Sequence, residues 1–82
     1  MSTPIQNVQV LTITTSPTTI SNANTISILN GGANALTIST DAGANTISLS
    51  AGQSLSMSAS TGFVLPDIVI TGTALSAEII KA

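Results

Sequence analysis

Four stretches of this chain alternate an apolar residue with serine or threonine, and that period of two constrains the fold more than any other feature. In NTISIL, residues 24–29, Ile26 and Ile28 alternate with Thr25 and Ser27; in NALTIST, residues 34–40, Leu36 and Ile38 alternate with Thr37 and Ser39. In NTISLS, residues 45–50, the inward pair is Ile47 and Leu49, and in QSLSMS, residues 53–58, it is Leu55 and Met57. Successive side chains of a strand point to opposite faces, so this spacing predicts half-buried β-strands. The β-branched content agrees, because Ile, Val and Thr suit a pleated surface better than a helix.

The linkers NGGAN (30–34), TDAGAN (40–45) and SAGQ (50–53) carry Gly, with Asn or Asp in the first two. Residues of this kind supply positive φ and local side-chain hydrogen bonds. Read as hairpin turns, they join the four runs into an antiparallel meander. Upstream, VQVLTITT (8–15) is apolar on both parities, Val8 and Val10 and then Leu11 and Ile13. Either both faces of that strand are covered or a bulge near Val10 switches its facing. Ser16 and Pro17 end it, and residues 18–22 read as a short strand with Ile20 inward. Downstream, TGFVLP (61–66) reads as a loop whose Phe63 and Leu65 plug one end of the core, and DIVIT (67–71) as a strand with Ile68 and Ile70 on one face. ALSAEIIKA fits a strand with Leu75, Ala77 and Ile79 inward, or a short helix opened by Ser76; the alternation favours the strand. Seven or eight short strands at such spacings predict an all-β fold, a small antiparallel β-sandwich or jelly-roll-like barrel over residues 8–82. Residues 1–7, Met1 to Asn7 with Pro4, are expected to form an extended N-terminal arm. The inward pairs begin at Ile26, Leu36, Ile47 and Leu55, too irregular a period for a stacked solenoid.

Composition decides whether such a pattern folds. The 82 residues include 11 Ile, 7 Leu, 4 Val and 1 Phe, with a net charge of −2, which is more apolar and less charged than a disordered chain. Charged residues make up 5%, and 12 serines and 13 threonines stand in their place. With no Cys, disulfide stapling is excluded. A domain of this size buries only about 60% of the surface its unfolded chain exposes, and oligomerisation or docking on a larger body is the support left to it.

The same counts remove whole classes of function. Neutralising phosphates takes Lys and Arg, and Lys81 is the sole cation; stacking on bases takes aromatic rings, and Phe63 is the sole ring. No nucleic-acid partner is expected. Zinc and iron–sulfur centres need thiolate or imidazole ligands, absent with no Cys and no His, and calcium is left with Asp41, Asp67, Glu78 and backbone carbonyls. No metal or other cofactor is expected. Hydroxyls are plentiful, but a nucleophilic Ser or Thr needs a base beside it. The candidates are Lys81, one residue from the end, and the three carboxylates; an N-terminal Thr nucleophile would require processing to Thr3. Paired carboxylates support glycoside hydrolysis, yet Asp41 in a Gly/Ala turn and Asp67 at a strand start have ordinary local roles. The chain is expected not to be an enzyme, with no catalytic residues. The T-x-S pairs of three runs resemble the hydroxyl ladders of ice-binding solenoids, although such residues are ordinary on any solvated strand face.

Residues 1–20 contain neither a basic n-region nor a continuous apolar h-region, and no apolar run approaches the roughly 18 residues of a membrane helix. Synthesis in the host cytoplasm without membrane insertion is expected. From Asn45 to Ile80, the order NTISLSAGQSLSMSASTGFVLPDIVITGTALSAEII resembles the tails of small all-β tailed-bacteriophage virion proteins that decorate the head or form short fibres. There, a strand ending in Gly-Gln-Ser leads to an alternating strand, an apolar loop with Pro, and a final pair joined by a Thr-Gly-Thr turn. The resemblance implies a capsid decoration or cement protein on the virion exterior, a homotrimer seated on the major capsid protein lattice. It carries over no functional residues. The alternatives are a receptor-recognition or fibre domain, put in doubt by the absence of Trp and Tyr for stacking sugars, and a self-assembling filament subunit with uncharged strand edges.

Overall fold

In the computed structural model, which describes residues 8–40 and 46–82, the alternating runs become strands whose apolar sides face one another across two layers. The strands are β1 (Gln9–Ile13), β2 (Thr18–Ile20), β3 (Thr25–Asn30), β4 (Leu36–Ser39), β5 (Thr46–Leu49), β6 (Ser54–Ser58), β7 (Ile68–Gly72) and β8 (Ala77–Lys81). One sheet has the order β1-β8-β3-β6 and the other β2-β7-β4-β5, with every pairing antiparallel. This interleaved order of two four-stranded sheets is that of a jelly roll, which combines two Greek keys. The expected all-β sandwich is what the chain forms. The expected arm over residues 1–7 and most of the TDAGAN linker, with Asp41, lie outside the described residues.

The inner faces supply the core. Ile26, Ile28 and Ile79 of the first sheet meet Ile20, Leu36, Ile38, Leu49, Ile68 and Ile70 of the second, with Ala23, Leu75 and Ala77 closing gaps. All are buried, and Ile28, Ile70 and Ile79 are completely so. A buried isoleucine contributes about 1.5–3 kcal/mol relative to an exposed one, so this layer carries most of the fold. The C-terminal run is a strand, with Leu75, Ala77 and Ile79 inward as the alternation requires.

The meander does not form. Only β4 and β5 are consecutive strands paired within one sheet; β3 pairs with β6 and β8, and β4 with β5 and β7. NGGAN and SAGQ therefore carry the chain from one sheet to the other, and so does the TGTA link, so β7 and β8 are not the paired final hairpin of the resemblance. The physical reason lies in the faces. A four-stranded meander would leave one wall of isoleucines uncovered, whereas sending successive strands to opposite layers buries both walls against each other.

β1 runs in unbroken register against β8, Gln9 opposite Lys81 and Ile13 opposite Ala77. No bulge interrupts it. Leu11 and Ile13 pack on the core, while Val8 and Val10 point away from it, 51% and 73% exposed. The apolar loop also departs from expectation. Leu65 packs on the core with its N–H bonded to the Ala23 carbonyl at 2.6 Å, but Phe63 and Val64 stand out in solvent. Asn24 explains this: its amide Nδ2 donates to the carbonyls of Ser60 at 3.1 Å and Phe63 at 2.6 Å, holding the loop by its backbone and leaving the ring outside.

Ala74, in the link from β7 to β8, has φ 50°. A non-glycine residue there costs roughly 1–2 kcal/mol in steric strain, partly offset by the chain entropy glycine brings to the unfolded state. Ala74→Gly is therefore expected to raise stability by about 0.5 kcal/mol in urea unfolding, an unusual sign for an Ala-to-Gly change. A loss of stability would show that steric strain at residue 74 is smaller than the entropy glycine adds to the unfolded chain.

Candidate interaction surface

The outer face of the first sheet is where this fold departs from an ordinary soluble surface. Register places Val10 opposite Ile80, Ile80 opposite Ser27 and Ser27 opposite Ser56 in one outward row. The neighbouring row runs Thr12, Glu78, Leu29 and Ser54. Val8, Val10, Leu29 and Ile80 are all exposed on this face, so β1, β8 and β3 carry an apolar stripe. β6 and β3 carry a strip of hydroxyls, tied by the 3.0 Å bond between Ser27 Oγ and Ser56 Oγ. Glu78 is the one ionic group in those two rows. The alternation itself cannot reveal the stripe, because Val8 and Val10 belong to a run that is apolar on both parities and Ile80 follows Ile79 directly.

Inward residues are uncovered at one margin. Ile47 shares the face of its partner Ile38, which is buried, yet Ile47 is 54% exposed on the outermost strand β5, whose Leu49 two residues on is buried. With Ile38 and Met57 it lines an opening of about 200 Å³ between β5 and β6. None of the four outermost strands, β1, β2, β5 and β6, contains a charged residue or a proline.

The residues weighed for chemistry are scattered. Asp67 is exposed just before β7 in one sheet, and Glu78 is exposed on β8 in the other. Among the described residues no group of three His, Cys, Asp or Glu side chains converges. Lys81 lies at the end of β8 on the inward parity, and its ammonium donates to the Ser21 carbonyl, joining the two layers. The hydroxyl pairs also divide: Thr25 and Ser27 belong to the first sheet, Thr37, Ser39, Thr46 and Ser48 to the second. Ser39 is buried, and Thr37 Oγ1 shares a 2.5 Å hydrogen bond with Thr71 Oγ1. They form no single flat array of the kind an ice-binding ladder requires.

One polar residue is buried without any local sequence signal for it. Asn30 closes β3 with its side chain inward, 1% exposed. Its Nδ2 donates to the carbonyls of Asn34 and Leu49, each at 2.9 Å, and its Oδ1 accepts from Gly32 N–H at 3.0 Å. It fastens the crossing from β3 to β4 onto β5. The NGGAN composition signals a turn, but nothing local distinguishes an Asn that caps its own turn from one that anchors a distant strand. No buried side-chain polar atom among the described residues lacks a partner.

Compared with protein-family models, curated proteins and solved structures, the chain matches none of them.

Proposed function

We propose that this chain is a structural virion protein of the capsid decoration type, which self-associates and docks on the major capsid protein lattice through the outer face of its first sheet. The observation that carries the reading is the apolar stripe of Val8, Val10, Leu29 and Ile80 on a surface with almost no charge. Contiguous exposed apolar groups on a small soluble fold mark contact surfaces, and a nearly neutral protein gains little from electrostatic steering. Attachment would rest on shape and apolar contact, and repetition over many lattice copies makes weak single contacts sufficient. The resemblance of residues 45–80 to phage decoration proteins points the same way.

The test has two parts. Density-purified particles from the source of this chain, examined by mass spectrometry, are expected to contain it at high copy. The double change Val10→Ser and Ile80→Ser is expected to lower particle occupancy at least about tenfold, while the free protein keeps its stability to within about 1 kcal/mol, since both side chains are exposed. Absence of the chain from particles, or unchanged occupancy of the double variant, overturns the proposal.

A second reading, a self-assembling filament subunit, is favoured by the uncharged outermost strands, which offer unpaired backbone to further strands. Long polymers of the purified chain in negative stain would support it over discrete assemblies.

A further inference from the structure

β6 pairs with β3 on one side and, among the described residues, with no strand on the other. The direction of its free backbone groups follows from its ends. Asn30 N–H donates to the Gln53 carbonyl at 2.9 Å and Ala59 N–H to the Asn24 carbonyl at 2.7 Å. Rungs toward β3 thus fall on Gln53, Leu55, Met57 and Ala59. Hydrogen-bonded and non-hydrogen-bonded pairs alternate along an antiparallel ladder, which turns the N–H and C=O of Ser54, Ser56 and Ser58 toward the open margin.

We propose that β6 is the seat of a two-fold self-association, pairing antiparallel with β6 of a second copy so that Ser56 lies opposite its own counterpart. The strand reads Ser-Leu-Ser-Met-Ser, nearly the same in both directions. In that register Ser54 meets Ser58, Leu55 meets Met57, and Ser56 meets itself. Like faces like on every rung, the core sides of both copies lie on the same side of the joined sheet, and each serine pair exchanges both of its backbone hydrogen bonds. The Ser27–Ser56 contact would continue across the axis as an outer row of hydroxyls. On the inner side, the second copy's Leu55 and Met57 would lie beside the opening lined by Ile47 and Met57.

The other outermost strands lack this self-complementarity. β2 has three residues and β5 four. β1 centred on Leu11 would set Gln9 against Ile13 and Val10 against Thr12. A two-fold contact uses the same patch on both copies and therefore closes, giving a pair where the resemblance implies a trimer. The inference rests on the self-association proposed above and not on the identity of any particle.

Sedimentation velocity and native mass spectrometry of the full chain are expected to show twice the 8.1 kDa monomer mass. Ser56→Pro removes an N–H that β3 does not use, a position where an outermost strand tolerates proline. Ser56→Lys places two like charges opposite each other on the axis. Each is expected to weaken dimerisation roughly tenfold or more, while Thr19→Lys, exposed on the outermost strand β2 of the other sheet, leaves it unchanged. Should either variant fail to fold, amide exchange of the unaltered protein decides: Ser54, Ser56 and Ser58 amides are expected to slow as concentration rises. A monomer at all concentrations overturns both this inference and the proposed self-association. A trimer, an assembly indifferent to both Ser56 changes, or fast exchange at the three serines within a dimer overturns the β6 pairing alone.

Discussion

Replacing Asn30 by leucine is expected to remove about 2–4 kcal/mol of stability. The apolar side chain leaves the Leu49 and Asn34 carbonyls and the Gly32 N–H without their partner. The Leu49 carbonyl, whose bond to Asn30 is buried, costs about 1–3 kcal/mol when orphaned, and the part-buried Asn34 and Gly32 groups add a smaller loss that water partly offsets. At roughly 0.05–0.15 kcal/mol per residue, an 82-residue domain has about 4–12 kcal/mol in all, so the loss is a large fraction of the total and should appear as a clearly lowered Tm by circular dichroism. Asn30→Asp sharpens the point. A carboxylate there has no hydrogens to donate and faces two carbonyl oxygens, so its folded pKa is raised above the usual 3.9 or so. The penalty applies in full at neutral pH and shrinks as pH falls through the folded pKa toward the unfolded one, below which the proton is bound in both states. Urea titrations at pH 7 and near pH 4 should show the Asp variant recovering relative to the Leu variant. Equal, small losses for both changes at every pH would mean that Asn30 does not hold the crossing.

The second large effect separates two neighbouring residues of the same type. Ile79 lies in register between Leu11 and Ile28 and is completely buried, whereas Ile80 lies between Val10 and Ser27 and is 51% exposed. Ile79→Ala opens a cavity at the centre of the sandwich and is expected to cost about 2–5 kcal/mol, a fall in Tm of about 10–30 °C for a domain of this size. Ile80→Ala is expected to cost under about 1 kcal/mol, the range of strand preference alone. Similar losses at the two positions would contradict the facing of β8, because a helical turn over the same residues would not separate adjacent side chains so cleanly.

That contrast also shows what the amino-acid order reveals and what it leaves open. The facing of Ile26, Ile28, Leu36, Ile38, Ile68, Ile70, Ala77 and Ile79 was legible, because period two is a local property and each residue's burial follows from it. Strand partnership was not. Whether a Gly- and Asn-containing link reverses within a sheet or crosses to the other depends on which remote wall needs covering, and Leu29 against Glu78 or Leu11 against Ile79 are matches across most of the chain. Ile47 obeys the alternation yet remains exposed on an outermost strand, a position set by strand order. Phe63 reads as core by its chemistry, but its backbone is held by Asn24 before its ring can turn in. The apolar outer stripe arises from the juxtaposition of β1, β8 and β3, and such a surface exists only once the sheet is assembled.

The pairing of β1 with β8 has a consequence for how this fold could be used. Gln9 and Lys81 sit side by side, so polypeptide entering the sandwich and polypeptide leaving it pass through one corner. A host protein could carry the whole unit as a bead spliced into a surface loop with little demand on the loop's span, and cargo genetically attached at either side would project from the same spot.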